Sequence, residues 1–449
     1  MADPNKAQTL QLLEDILKKA KAAGATSADV VLSDSTSVAV TRRFGKPEAL
    51  KRSEEAEIGL RVLVGQKQAI VSSSDRAPDT LAEMAARAVA MAKSVPEDKY
   101  AGIADPSELA KTFPDLDLYD GSEPTADEMA KMADAAESAA LGVKGVTNSD
   151  GAECSSSRDI TYYAATNGFN GSFPSSGFSI SVSVIAGEDT GMETDYDFDS
   201  ASHLKDLKDP ASVGKSAGER AVRALGPRKG PTKEMPVVFD RRISGGLIGS
   251  LAGAVTGTSV ARGTTLLKDK MGAQIFAPGI TIVDDPFIKR GNRSHPFDGE
   301  GVAPQKRNII DDGKLTGWLL DLSSARQLGL KTTGNAARGA SSPPSPRPAN
   351  FYMQPGKMSV DELIADIEEG FFVTQMMGSG GNIVTGDYSR GARGFWIVKG
   401  KIAYPVAEMT IAGNLKEMWP SVTPANDLEL KYGVDAPTLR IAKMTVAGA

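Results

Sequence analysis

Histidine and cysteine build most zinc sites and many nucleophile–base pairs, and this chain nearly lacks both. Its 449 residues include two histidines, His203 and His295, and one cysteine, Cys154. The histidines lie 92 positions apart, so no short His-x-x-x-His pair can seat a zinc ion on one helix. A single cysteine excludes an intrachain disulfide and a zinc ribbon or finger. Carboxylate chemistry remains. Asp298, Glu300 and Asp387 are the acids that a self-sufficient hydrolase with a magnesium or manganese site would use, though no spacing favours them.

Other chemistry is excluded motif by motif. No Gly-x-x-x-x-Gly-Lys-Ser/Thr occurs, so there is no P-loop. Gly378-Ser379-Gly380-Gly381 fails the dinucleotide fingerprint because Ile383 holds the later glycine position. Two Ser-x-x-Lys matches, at Ser202 and Ser212, are expected by chance. A Ser–His–Asp triad would need His203 or His295 as its base, and both read as solvated loop residues. Glu188, Asp189, Glu193, Asp195, Asp197 and Asp199 make an acidic run without calcium-loop spacing, expected as a solvated loop. Cys154 reads as a buried or half-buried structural thiol. Asn382, Thr385, Asp387, Tyr388, Ser389 and Arg390 form a polar, glycine-flanked loop. Such loops concentrate binding residues; they also serve as turns that satisfy their own backbone through Asn, Asp and Ser side chains.

The elements that position these residues divide in two. Leu10, Leu13, Leu17 and Ala20 mark a first helix. Strands are expected at 28–40, 56–64, 68–72, 153–165 and 178–187, and helices at 78–94, from Pro124, and at 210–225. Gly226 through Lys233 reads as an exposed connector. The expected organisation is an N-terminal α+β domain (1–225), a linker (226–234) and a β-rich C-terminal domain (235–449). There, short strands and glycine turns suggest a curved antiparallel sheet or barrel around a central helix. Strands are expected at 280–284, 308–311, 315–322, 371–377, 395–398, 402–404, 408–411 and 439–446, and a helix at 360–369. Four prolines between 343 and 348 argue against regular structure there. Net charge is −6, which gives no electrostatic reason for DNA binding. The N-terminus lacks a signal-peptide pattern, no stretch reads as a membrane span, and the lone cysteine makes the cytoplasm the expected compartment.

One segment is unusual. Gly245, Gly249, Gly253 and Gly257 recur every four residues. In a helix they would form a stripe costing about 1 kcal/mol per glycine against alanine. Close approach by a neighbouring backbone is the physical candidate to offset that cost. A tightly packed buried helix, a degraded active-site helix and a loop are the three readings.

Several stretches resemble the TldD/TldE (PmbA/TldD) family of peptidases and DNA gyrase modulators. They are Gly59–Asp75, Phe297–Val302, Gly329–Arg338, Asn382–Trp396, Ile411–Leu415 and Pro437–Gly448. The Asn382 stretch and Gly413–Met418 look more like TldE (PmbA) than TldD. In TldD a His-Glu-x-x-x-His helix binds the metal and supplies the general base. Counting back from Thr281–Asp285, its functional positions fall on Ile248, Gly249 and Gly253, which cannot bind metal or move a proton. The chain also lacks a C-terminal cysteine that TldD associates with its metal. The resemblance therefore implies a non-catalytic TldE-type subunit. It would pair with a zinc-bearing TldD-type peptidase that degrades unfolded peptides, or with itself when that partner is absent. It implies no cofactor in this chain. A binding protein acting on a gyrase system is a further alternative.

Overall fold

Residue parity organises the N-terminal sheet. The computed structural model describes residues 5–378 and 380–448; residues 1–4, with the start of the N-terminal reading, Ser379 of the glycine run, and residue 449 lie outside them. The order is α1 (Lys6–Ala22), β1 (Ser27–Arg43), β2 (Lys46–Val64), β3 (Lys67–Ser73), α2 (Pro78–Ser94), α3 (Ala126–Leu141), β4 (Val146–Ala165), β5 (Asn170–Ala186), β6 (Glu193–Ala201) and α4 (Pro210–Arg223). The strands form one antiparallel sheet ordered β3-β2-β1-β4-β5-β6. Pro78 opens α2, and Thr125 with Glu128 forms a capping box on α3.

Even-numbered residues carry the helices. Val30, Leu60 and Ala164 lie side by side across three strands and are buried under α1 and α2. Val40, Cys154 and Ile180 continue the same parity under α3 and α4. Cys154 is buried beside Met132, and burial pushes its thiol up to about 11. Odd-numbered residues face the opposite way. There Val31, Tyr163, Phe169, Phe297 and Ala340 form an apolar cluster drawn from both halves of the chain.

The acidic run is a correction. Glu193–Ala201 forms β6 rather than a solvated loop, and Asp195 and Asp199 are buried. Their partners are basic residues of the C-terminal domain. Arg393 contacts Glu193 at 2.7 Å and Asp195 at 3.7 Å, Arg242 lies 3.5 Å from Asp195, and Lys431 lies 2.6 Å from Asp199. Alternation of acids with Tyr196 and Phe198 is a strand period, and distant cations neutralise the buried members. His203 is also buried, its Nε2 2.9 Å from the Asp117 carbonyl.

The C-terminal domain comprises β7 (Lys233–Phe239), α5 (Arg241–Ala254), α6 (Gly257–Arg262), β8 (Ile282–Asp285), β9 (Arg307–Asp311), β10 (Lys314–Leu315), α7 (Leu322–Leu328), β11 (Ala336–Ala337), β12 (Ser345–Pro346), β13 (Asn350–Met353), α8 (Val360–Ile364), β14 (Glu369–Met377), β15 (Asp387–Val398), β16 (Lys401–Asn414), α9 (Leu415–Met418), β17 (Val422–Pro424), β18 (Val434–Asp435) and β19 (Leu439–Gly448). Strands β7, β14, β15, β16 and β19 close a barrel, because β16 pairs with β19 as well as with β15. Only the β7–β14 pair within it is parallel. A second sheet runs β10-β9-β8-β13-β18. Helix α5 packs against β14 on one side and β13 and β18 on the other. The α+β architecture with a barrel and a central helix is thus as expected.

Local differences have local causes. The expected strands 402–404 and 408–411 are one strand, β16, which continues through Glu408 at positive φ. The expected helix 360–369 stops at Ile364, and Glu369 already belongs to β14. Residues 315–322 are not one strand, because Asp321 caps α7 through Ser324. Within the proline run, Pro346 pairs with Ala336 in a two-residue bridge, an edge position where proline's missing donor costs nothing.

Candidate functional site

Helix α5 is where the glycines sit, and they do not form one packed stripe. Asp240 caps the helix by accepting from Arg242 N at 2.9 Å. The helix ends at Ala254, so Gly257 belongs to α6. Leu247, Ile248, Leu251 and Val255 point into the barrel-side core. Gly246, Gly249 and Gly253 fall on the opposite face, at the spacing of successive turns. A methyl group on Gly245 would lie 2.5 Å from the Val434 carbonyl, so that glycine admits a neighbouring backbone. At Gly249 and Gly253 a methyl would meet no described atom within 4 Å. Close packing therefore explains Gly245 and not Gly249 or Gly253, which border open space.

The polar loop closes one side of that space. A methyl on Gly246 would lie 3.7 Å from Met376 Cε and 3.8 Å from Arg390 Nη1. Arg390 Nη2 donates to the Gly378 carbonyl at 2.8 Å, while its buried Nε has no hydrogen-bond partner. Tyr388 is buried, its hydroxyl 3.3 Å from Met376 Sδ. The other members organise the turn. Asn382 Oδ1 accepts from Val384 N and Thr385 N. Thr385 Oγ1 donates to Asp387 Oδ2 at 2.7 Å, and Asn414 Nδ2 donates to Asp387 Oδ1 at 3.1 Å. Ser389 is exposed. Of the six candidates, Arg390 reaches the glycine face directly and Tyr388 reaches it through Met376.

The acids gather elsewhere. Asp298 is buried; its Oδ1 accepts from Glu300 N and Val302 N, and its Oδ2 from Ala336 N. Glu300 Oε2 accepts from Leu322 N at 2.9 Å, and its Oε1 lies 4.0 Å from Arg61. Burial raises the pKa of both carboxyls. Asp29 and Arg61 sit directly opposite on β1 and β2 and form a buried ion pair; Arg338 also pairs with Asp29. Gly59 lets this happen, because a methyl there would lie 2.0 Å from the Ala340 carbonyl. These groups bind one another and the backbone, and Asp387 shares no partner with them.

The comparisons decide the family. The PmbA/TldA metallopeptidase family matches in three pieces: domain 1 over 28–92, the central domain over 119–225 and the C-terminal domain over 232–448. The metalloprotease PmbA of Escherichia coli O157:H7 is 38% identical over 423 residues, covering 94% of this chain and 92% of that one. This chain belongs to the PmbA/TldD family. A PmbA homologue of Haemophilus influenzae is 33% identical over 449 residues, covering 99% of this chain and 97% of that one. Among solved structures, a candidate modulator of DNA gyrase from Bacteroides thetaiotaomicron superposes with a TM-score of 0.91 at 27% identity, covering 99% of this chain and all of that one. TldE from Thermococcus kodakarensis shares the fold, with a TM-score of 0.87 at 20% identity, covering 97% and 100%.

The family name implies a metal, and the residues here do not fit one. The open face of α5 offers Gly246, Gly249, Ser250 and Gly253, which bring no nitrogen, thiolate or carboxylate donor. Among the described residues no three His, Cys, Asp or Glu side chains gather to hold an ion. His295 is half-buried in its loop rather than fully solvated. Its Nδ1 is 2.9 Å from the Arg293 carbonyl, and burial lowers its pKa. Sequence reasoning missed the buried Asp29–Arg61–Arg338 cluster. A signal was present, since a lone Asp and a lone Arg interrupt apolar runs at facing positions of a hairpin.

Proposed function

We propose that this PmbA/TldD-family chain is a TldE-type, non-catalytic subunit. It partners a TldD-type subunit whose zinc performs cleavage of unfolded peptides in the cytoplasm. The observation that carries the reading is the open glycine face of α5, where Gly249 and Gly253 border space and supply no donor. Ile248 points into the core, so even a ligand there would project about 140° away from position 253 on a regular helix. Such a face can admit an extended peptide, with Arg390 and the 382–390 turn along its side. Strand edges of the chain would add the peptide through main-chain hydrogen bonds, giving affinity with little sequence preference. The same reading puts the domains at 1–225 and 235–449 with 226–234 between them. It assigns no nucleic-acid or membrane contact to this chain; among the described residues no helix is long and apolar enough to cross a membrane. In the absence of its partner the chain would pair with itself.

The test is metal content and cleavage. The purified chain should hold no stoichiometric zinc by elemental analysis and should cleave an unfolded peptide only when a TldD-type partner is added. Stoichiometric zinc in the lone chain, or cleavage without the partner, overturns the reading.

A further inference from the structure

A cleft of about 260 Å³ lies between the two domains and is lined by no residue of α5. Val31, Tyr163 and Phe297 give it an apolar wall, and Arg293, Arg338 and Arg347 line it together with His295. Its volume is below that of pockets for drug-sized ligands, which suits a small molecule or one end of a larger one.

The lining of this cleft holds three arginines and one acid, Asp298. Arg338 is 1% exposed and has Asp29 as its ion-pair partner; its Nη2 donates to the Gly59 carbonyl at 3.2 Å. Its buried Nε has no hydrogen-bond partner. Among the described residues, Arg293 and Arg347 form no ion pair at all, and Arg347 is exposed. The nearby acids are already committed. Asp298 accepts from Glu300 N, Val302 N and Ala336 N. Asp284 accepts from Asn335 Nδ2 and Ala349 N. Asp435 accepts from Tyr432 N and Gly433 N. Burial lowers the pKa of Arg293 and the neighbouring charge of Arg347 lowers it further, with Asp435 and Asp284 opposing both from beyond ion-pair distance.

Two guanidiniums without an ion-pair partner, beside a buried third with an unsatisfied N–H, can take an oxyanion. We propose that this interdomain cleft binds a small oxyanion, a carboxylate or phosphate group, between Arg293 and Arg347. Guanidinium forks favour planar, bidentate acceptors. His295 is held in orientation at the wall by its bond to the Arg293 carbonyl. The inference stands independently of the subunit reading, because it concerns neither α5 nor a partner chain.

Isothermal titration of the full chain tests it with three probes: inorganic phosphate, N-acetyl-trialanine as the free acid, and the same peptide as its amide. Wild type should bind at least one anion more tightly than about 1 mM and prefer the acid to the amide. Phosphate binding alone supports the site with free phosphate as its source; acid-over-amide discrimination identifies a carboxylate terminus. Arg347→Ala removes an exposed side chain and should leave the melting temperature unchanged while weakening binding at least about tenfold. Arg347→Lys should fall between the two, because it keeps charge but loses the fork. No binding of either anion, equal binding of acid and amide without phosphate binding, or unaltered affinity in Arg347→Ala overturns the proposal.

Discussion

Asp29 on β1 and Arg338 just after β11 form an ion pair across the domain boundary, with side chains 0% and 1% exposed. Arg61 on β2 approaches the same carboxylate from the neighbouring strand. One buried acid thus answers two guanidiniums. Asp29→Asn keeps the shape and removes the ion-pair partner of Arg338 and the nearer of the two acids facing Arg61. Stranding a buried charge costs about 3–5 kcal/mol. Urea unfolding of the variant should show a loss of that size. A loss below about 1 kcal/mol would mean that the arginines find other partners.

The acids around this pair predict a pH dependence. Burial raises Asp298 and Glu300 above their ordinary values and Asp284 to about 6. A raised carboxyl favours the folded state in its neutral form. Its contribution is complete below the unfolded pKa, about 4 for Asp and Glu, and fades as pH rises through the folded value. For Asp284 that window runs from about 4 to about 6. Glu300→Gln fixes the neutral form while keeping an acceptor for Leu322 N. Between pH 5 and pH 9 its melting temperature relative to wild type should rise and then level off once the pH passes the raised folded value of Glu300. Parallel melting curves across that range would show that Glu300 does not titrate in the fold.

Much of the fold was legible because it follows periodicity. Alternation located most of the strands, and Pro78 and the Thr125 region located helix starts. What escaped depended on partners far away in the chain. The acids of β6 look like a solvated run until Arg242, Arg393 and Lys431 arrive from the other domain. The family-like stretches around Arg61, Asp298–Glu300 and Arg338 also look like unrelated segments in sequence. In the fold they meet at one interface. Among the site candidates, the turn chemistry of Asn382, Thr385 and Asp387 was readable locally. The approach of Arg390 to Gly246 was not, because it depends on how a side chain far along the chain reaches α5 in the fold.

The β6 contacts should matter energetically where surface pairs do not. Arg393 is 19% exposed and holds Glu193 at 2.7 Å, Asp195 at 3.7 Å and the Thr194 carbonyl. Arg393→Ala should cost about 1–3 kcal/mol by leaving those acceptors short of a donor, with Arg242 still beside Asp195. Screening acts weakly on buried pairs, so the deficit in urea unfolding should persist from low to high salt. The exposed pair Arg52–Glu54 is the control; Arg52→Ala should cost less than about 1 kcal/mol. Equal effects at the two sites would remove the distinction.

Substituting the glycines of α5 separates packing from open space. Gly249→Ala adds a methyl that meets no described atom within 4 Å. Relief of backbone entropy in a helix interior should stabilise the chain by about 0.4–1 kcal/mol. Gly245→Ala places its methyl 2.5 Å from the Val434 carbonyl and should destabilise by about 1–3 kcal/mol through overpacking. Ile248→His puts a polar ring into the core and should cost at least about 2 kcal/mol. Gly253→His points into the open face and should fold with little change. Equilibrium unfolding of the four variants reads the helix orientation directly. If Ile248→His is tolerated and Gly253→His is not, the open face lies on the other side of α5 and the non-catalytic reading loses its main support.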